Sequence, residues 1–331
     1  MTIDRRSLLI GSLAAGVSAR SAGQTHAPST PESHWLAIPD PTETIDLWPG
    51  RPPGAPAKLP VETVHERSKD PAYNDRYVLG VARPRMAVFR PAHPNGSAAL
   101  IFPGGGYRWV VADKEGYEMA RLLAARGVTS FVLFYRLPSE GWASGPDTPV
   151  IDAQRAMRLI RHRAGSYGID ARRIAAVGFS AGGHVCASLL TRFETQLYGA
   201  VDGADSLSAR PDIAAPVYPV ISMTVPIAHA GSRELLIGKH ATAELERAYN
   251  PALNVPSNAP PVFLCHAEDD PAVPVANTLM LRDGLLKAKV PVETHLYPEG
   301  GHGFGLRLSR GKSVDGWQEV FLAWGHKRAV F

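Results

Sequence analysis

Gly178-Phe179-Ser180-Ala181-Gly182-Gly183-His184 sets a serine in a G-x-S-x-G turn. The apolar Ile174-Ala175-Ala176-Val177 before it reads as a short buried strand, and Val185 to Leu190 after it continues as a helix. A serine at a sharp strand-to-helix turn has a strained backbone and an exposed hydroxyl. The small residues around it let the turn close and a substrate approach. The following helix aims its N-terminal amides at the point where acyl transfer develops negative charge. Alone, the pattern also fits a plain Gly-rich turn. Ser180 becomes a candidate nucleophile only if the chain also supplies a base, an acid and amide donors.

A serine hydroxyl needs a base to take its proton. Pro298-Glu299-Gly300-Gly301-His302-Gly303-Phe304-Gly305 offers one histidine among four glycines, directly after the apolar strand ending at Tyr297. Of the 12 histidines in the chain, His302 is the one placed on a flexible loop after the last strand, where it can hang over the nucleophile. The histidine in turn needs a carboxylate to fix its tautomer and stabilise the imidazolium. Glu268-Asp269-Asp270 crowds three acids into the loop after strand 262–265. Asp270, just before Pro271, is the expected partner of His302. Asp269 is the alternative, and Asp269 or Glu268 also suits capping of the next helix. The order Ser180, Asp270, His302 is that of nucleophile-elbow enzymes.

A tetrahedral intermediate needs two amide donors. One is expected from Ala181, the residue after the nucleophile. The other is expected from Pro103-Gly104-Gly105-Gly106-Tyr107, where Gly105 or Gly106 can turn an N–H toward a substrate with no side chain in the way. Nucleotide readings of the Gly-rich stretches fail: Trp109 stands where a dinucleotide fingerprint needs its third glycine, and Leu306 where a phosphate loop before Gly311-Lys312-Ser313 needs its first. No His-Glu-x-x-His or Cys/His cluster is present, so neither a metal nor another cofactor is expected.

Strands at 45–47, 86–90 and 98–103, a helix over 114–125 and a strand at 129–135 come first. A Gly/Pro-rich loop at 138–149 leads to a helix over 151–164. After the nucleophile strand and helix come strands at 214–221, 262–265 and 292–297, a helix over 275–288, and a last one near 317–324. Strands alternating with helices, several of them unbroken apolar runs, predict an α/β fold: a mainly parallel sheet with helices on both faces. Residues 222–259 break the rhythm with prolines and two short helices, and are expected to form a lid. Residues 28–331 then make one catalytic domain.

The hydrophobic content is 45 % and the net charge +4, with no basic stripe. That describes a globular protein and lends no support to a nucleic-acid partner. Arg5-Arg6 before the apolar run Leu8 to Ala19 resembles a twin-arginine export signal, too short to span a bilayer. Cleavage is expected between Ala19 and Ala27, leaving an exported, periplasmic or secreted protein with no stable membrane association. Cys186 and Cys265 suit small buried hydrophobes better than a disulfide.

With these residues in view, the chain resembles an α/β-hydrolase of the acetyl-esterase and acetylxylan-esterase-like group, near the dienelactone-hydrolase and prolyl-oligopeptidase branches. The resemblance covers residues 45–327. It rests on Leu47-Trp48-Pro49-Gly50, Pro103-Gly104-Gly105-Gly106-Tyr107, Asp152-Ala153-Gln154-Arg155-Ala156, the Ser180 motif, Asp270-Pro271-Ala272-Val273-Pro274 and Gly301-His302-Gly303-Phe304-Gly305. Pro103 stands where related esterases often carry the His of His-Gly-Gly-Gly. The resemblance implies a serine esterase removing short acyl groups, acetyl above all, from a small-molecule or oligosaccharide ester. The alternatives are a serine exopeptidase and a catalytically silent binding protein on the same fold. Tyr218 and Met223 are expected to bound the acyl pocket, and Tyr107 and Trp109 to stack on a sugar or pack the lid. Asp152 and Arg155 are expected to pair on their helix, with His184 and Trp48 as packing residues.

Overall fold

Alternation of apolar strands and amphipathic helices produces the expected layered sheet in the computed structural model, which describes residues 38–331. Residues 1–27, read from the sequence as an export signal, lie outside the described residues. Four strands come first: β1 (Thr44–Asp46), β2 (Thr63–Glu66), β3 (Arg76–Leu79) and β4 (Arg85–Phe89). Then follow β5 (Ala98–Phe102), β6 (Val110–Val111), α1 (Glu118–Ala125), β7 (Thr129–Phe134), α2 (Thr148–His162), β8 (Ile174–Phe179) and α3 (Ala181–Arg192). The remainder is β9 (Ile213–Val217), α4 (Ala230–Ile237), α5 (Ala243–Ala248), β10 (Val262–Ala267), α6 (Ala276–Lys287), β11 (Val292–Tyr297) and α7 (Trp317–Lys327).

The main sheet has eight strands in the order β1-β4-β7-β5-β8-β9-β10-β11. The β1–β4 and β4–β7 pairs are antiparallel and the rest parallel. Every residue of β5, β7, β8, β9 and β10 is buried, because helices cover both faces of a parallel sheet and leave its strands no solvent side. The chain steps from β5 through α1 to β7, then crosses back over β5 through α2 to β8. Two right-handed crossovers in opposite directions put α1 and α2 on opposite faces. The carboxyl ends of β5 and β8 flank this reversal, where open α/β sheets form their ligand crevice.

Several boundaries move. The strand expected over 214–221 stops at Val217, because Tyr218 turns with φ 35°. There the Tyr218 N–H donates to the Cys265 carbonyl and the Val220 N–H to the Ser180 carbonyl. The helix expected from 114 opens with a π-helical turn over Asp113–Tyr117. A small antiparallel sheet β2-β3-β6 was not foreseen: β2 is wholly exposed Thr-Val-His-Glu and β6 has two residues, so neither carries a periodic signal.

Asp152 and Arg155 do not pair with each other. The helix carrying them is buried, so each reaches sideways to a neighbouring segment. Asp152 accepts from the Arg136 guanidinium and backbone N–H and from Trp48 Nε1, which gives a fully buried cation the carboxylate it requires. Arg155 donates to Asp202 and to the Leu47 carbonyl. Cys186 and Cys265 are buried and free. The segment 222–259 carries α4 and α5, and Asn277 of α6 pins its root. The Asn277 Oδ1 accepts the N–H groups of Ile221 and Ser222, and its Nδ2 donates to the Ile227 carbonyl. Among the described residues no helix is long and apolar enough to cross a membrane.

Candidate active site

Ser180 sits between β8 and α3 with φ 54° and ψ −118°, a left-handed, strained conformation for a residue with a side chain. The turn closes only because its neighbours are small. A Cβ on Gly178 would lie 2.7 Å from Cys186 Cβ, and one on Gly182 would lie 2.5 Å from the Pro103 carbonyl. The Ser180 Oγ lies 2.8 Å from His302 Nε2.

His302 Nδ1 donates to Asp270 Oδ2 at 2.6 Å. Gly301 and Gly303 take φ of 68° and 69°, so the histidine stands on a loop that residues with a Cβ form at a cost. Asp269 braces that loop by accepting the N–H groups of Gly300 and Gly301; Asp270 is the carboxylate that faces the imidazole. The other Asp270 oxygen accepts from Ala272 and Val273 N–H. Burial alone would raise its pKa, but hydrogen bonds from His266, His302 and the Val273 amide outweigh it and hold the carboxyl well below its usual range. His266 is a residue the sequence reading passed over. Its Nε2 faces Asp270 Oδ2 at 3.1 Å and the Val273 carbonyl at 3.0 Å, two acceptors, so that nitrogen carries the proton. Its position at the end of β10, four residues before Asp270, was the available signal.

The loop after β5 lies beside the elbow. Gly105 and Gly106 have φ of 129° and 64°, and the amides of Gly105, Gly106 and Ala181 have no protein acceptor among the described residues. Two buried side chains hold this loop. Glu115 Oε2 accepts the Gly104 N–H, and its Oε1 accepts the Tyr218 hydroxyl, which in turn accepts the Gly305 N–H. His184 Nε2 donates to the Tyr249 carbonyl, leaving Nδ1 to accept from the Tyr107 hydroxyl at 2.6 Å. Burial lowers the His184 pKa to about 4, keeping it in that neutral tautomer. His184 is therefore more than packing. Glu115 lacked a sequence signal because its partners are far away along the chain.

A cavity of about 410 Å³ opens at Ser180 and His302, with Trp109, Glu115, His229 and Leu235 in its wall. His229 and Leu235 come from the segment read as a lid. Trp109, expected to stack on a sugar or pack the lid, lies in the cavity wall. Tyr107, expected beside it, and Tyr218 and Met223, expected to bound the acyl pocket, are at most 1 % exposed and are not among the residues that line the cavity. The positive φ of Tyr107 and Tyr218 turns their rings inward, where each hydroxyl finds a partner. Among the described residues no group of three His, Cys, Asp or Glu side chains is placed to share a metal ion.

Sheet order, elbow and histidine loop define an α/β-hydrolase. The BD-FAE family model matches residues 86–285. The chain belongs to the BD-FAE family. It is 32 % identical over 227 residues to an acetylxylan esterase of Xylanibacter ruminicola, covering 67 % of this chain and 44 % of that protein. It is 35 % identical over 218 residues to endo-1,4-beta-xylanase B of Butyrivibrio fibrisolvens, covering 66 % and 34 %. The chain thus spans a third to a half of the length of these curated relatives. The crystal structure of an acetyl ester-xyloside bifunctional hydrolase from Caldicellulosiruptor lactoaceticus superposes with TM-score 0.69 at 31 % identity, over 89 % of this chain and 99 % of that one.

Proposed function

We propose that this protein is a serine carboxylesterase that removes short acyl groups, acetyl first, from carbohydrate. The observation that carries the reading is the hydrogen-bonded run Asp270–His302–Ser180 opening on a cavity beside glycine amides that have no protein acceptor among the described residues. The names of the family's esterase relatives support acetyl as the acyl group.

Ser180 Oγ attacks the ester carbonyl while His302 Nε2 takes its proton. Asp270 holds His302 in the tautomer with Nδ1 protonated and stabilises the imidazolium. The amides of Ala181 and of Gly105 or Gly106 receive the oxyanion. His302 then protonates the leaving alcohol, and the acyl group stays on Ser180. Water, deprotonated by His302, attacks the acyl-enzyme and frees the acid. Export by residues 1–27 would deliver the enzyme to extracellular polysaccharide.

The test is a panel of p-nitrophenyl esters, acetylated xylan and aminoacyl anilides with the wild type and Ser180→Ala. Acetyl esters should be the best substrates, and Ser180→Ala should lose several orders of magnitude in kcat with the fold intact. A variant keeping a tenth of the activity would remove Ser180 from the nucleophile role. Preference for eight-carbon acyl chains would defeat the acetyl reading, and cleavage of the anilides alone would favour a peptidase.

A further inference from the structure

Four residues with full charges line the cavity: Arg67, Arg108, Lys114 and Glu115. Two are already satisfied. Arg67 is paired with Asp75 at 2.8 Å, and Glu115 is buried with both oxygens accepting hydrogen bonds. Arg108 and Lys114 have no carboxylate oxygen within 4.0 Å among the described residues. Buried arginines elsewhere in the molecule are matched, as Arg136 is with Asp152 and Arg155 with Asp202. The cavity therefore carries two cations without an ion-pair partner against one buried carboxylate, an excess of one positive charge, and a cleft focuses such an excess on whatever enters it.

Their placement relative to the triad sets which part of a substrate they meet. A Cβ on Gly303 would lie 3.1 Å from Lys114 Nζ, so the ammonium stands against the residue that follows His302. His302 must protonate the departing oxygen, so the alcohol half of an ester leaves on this side. Arg108 lies with its guanidinium 5.8 Å from the centre of the Trp109 ring, and Trp109 is half-buried in the same wall. Tyr77 packs against the same indole at 4.8 Å between ring centres. The edge left beside Arg108, in a wall that also carries the Lys114 ammonium, suits a sugar ring that carries a carboxylate.

We propose that Lys114 and Arg108 form an anion-selective subsite on the leaving-group side, for acylated oligosaccharides that carry a uronic acid unit. The proposal rests on the esterase reading above. The carboxylate ion-pairs with Lys114 and Arg108 while the sugar face lies along Trp109.

The test compares kcat/KM on an O-acetylated neutral oligosaccharide with that on the same backbone bearing a uronic acid, and p-nitrophenyl acetate serves as an uncharged reference. The wild type should favour the acidic substrate. Lys114→Met and Arg108→Met should each lower the acidic-to-neutral ratio about fivefold, the scale of one exposed ion pair, with the change in KM. Roughly 0.5 M NaCl should flatten the wild-type ratio by screening. Equal wild-type rates on the two oligosaccharides, or variants that leave the ratio unchanged, would overturn the subsite alone if p-nitrophenyl acetate is still cleaved. Failure to cleave p-nitrophenyl acetate as well would overturn the esterase reading and the subsite with it.

Discussion

Asp269 and Asp270 are adjacent in sequence and face different partners, one the amides of the histidine loop and the other the imidazole itself. Removing the charge from each should therefore have unequal effects. Asp270→Asn puts an amide against His302 Nδ1 and favours the wrong tautomer, with an expected loss of about 10⁴-fold in kcat, by analogy with known triads. Asp269→Asn keeps an acceptor for the glycine amides and should cost far less. Steady-state kinetics on p-nitrophenyl acetate decides between them, and a larger loss for Asp269→Asn would reassign the acid. His266 adds a second donor to Asp270, so the carboxylate stays ionised although its side chain is fully covered.

At the scale of elements, His184 joins three of them: α3 on which it sits, the glycine loop after β5 through Tyr107, and the segment 222–259 through Tyr249. Its pKa falls from 6.5 to about 4 by burial. Between those values the unfolded chain binds the proton and the folded chain does not. Its contribution is thus complete above pH 6.5 and is lost as pH falls toward 4, by up to about 3 kcal/mol. Glu118, whose carboxyl burial pushes up to about 7, acts in the opposite direction over the same range. Asp270, with its pKa depressed, loses its contribution only at lower pH. The diagnostic is therefore the difference between wild type and His184→Gln: the Tm gap should be widest near neutrality and narrow by pH 4. A gap independent of pH would show that the histidine is protonated or exposed in the folded state.

For the whole molecule, the prediction concerns where it works. Residues 1–27 carry the paired arginines read as a twin-arginine signal, and such a pair is an address read by a translocase rather than an anchor. Replacing Arg5 and Arg6 together with Lys should leave unprocessed precursor in the cytoplasm, detected by fractionation and immunoblot. Normal processing of that variant would point to another route. The modest charge of +4 is a sum over the chain and does not show that Arg108 and Lys114 gather at the cavity.

Local sequence was enough for the parts whose physics is local. The elbow around Ser180 is legible because a strained turn demands small neighbours, and the histidine loop because His302 stands among glycines after the last strand. Buried strands are legible as unbroken apolar runs, for which a parallel sheet with both faces covered leaves no polar alternative. Pairings between distant segments were not legible. Arg136 with Asp152, His184 with Tyr107, and Glu115 with Gly104 and Tyr218 join residues 11 to 103 positions apart. Nothing in the flanking sequence records such a partner. The same holds for Tyr107, Tyr218 and Met223: aromatic or bulky residues beside a site read alike whether they face substrate or core. Tertiary packing decided which way they point, because two positive φ angles and two hydroxyls seeking partners turned the tyrosines inward.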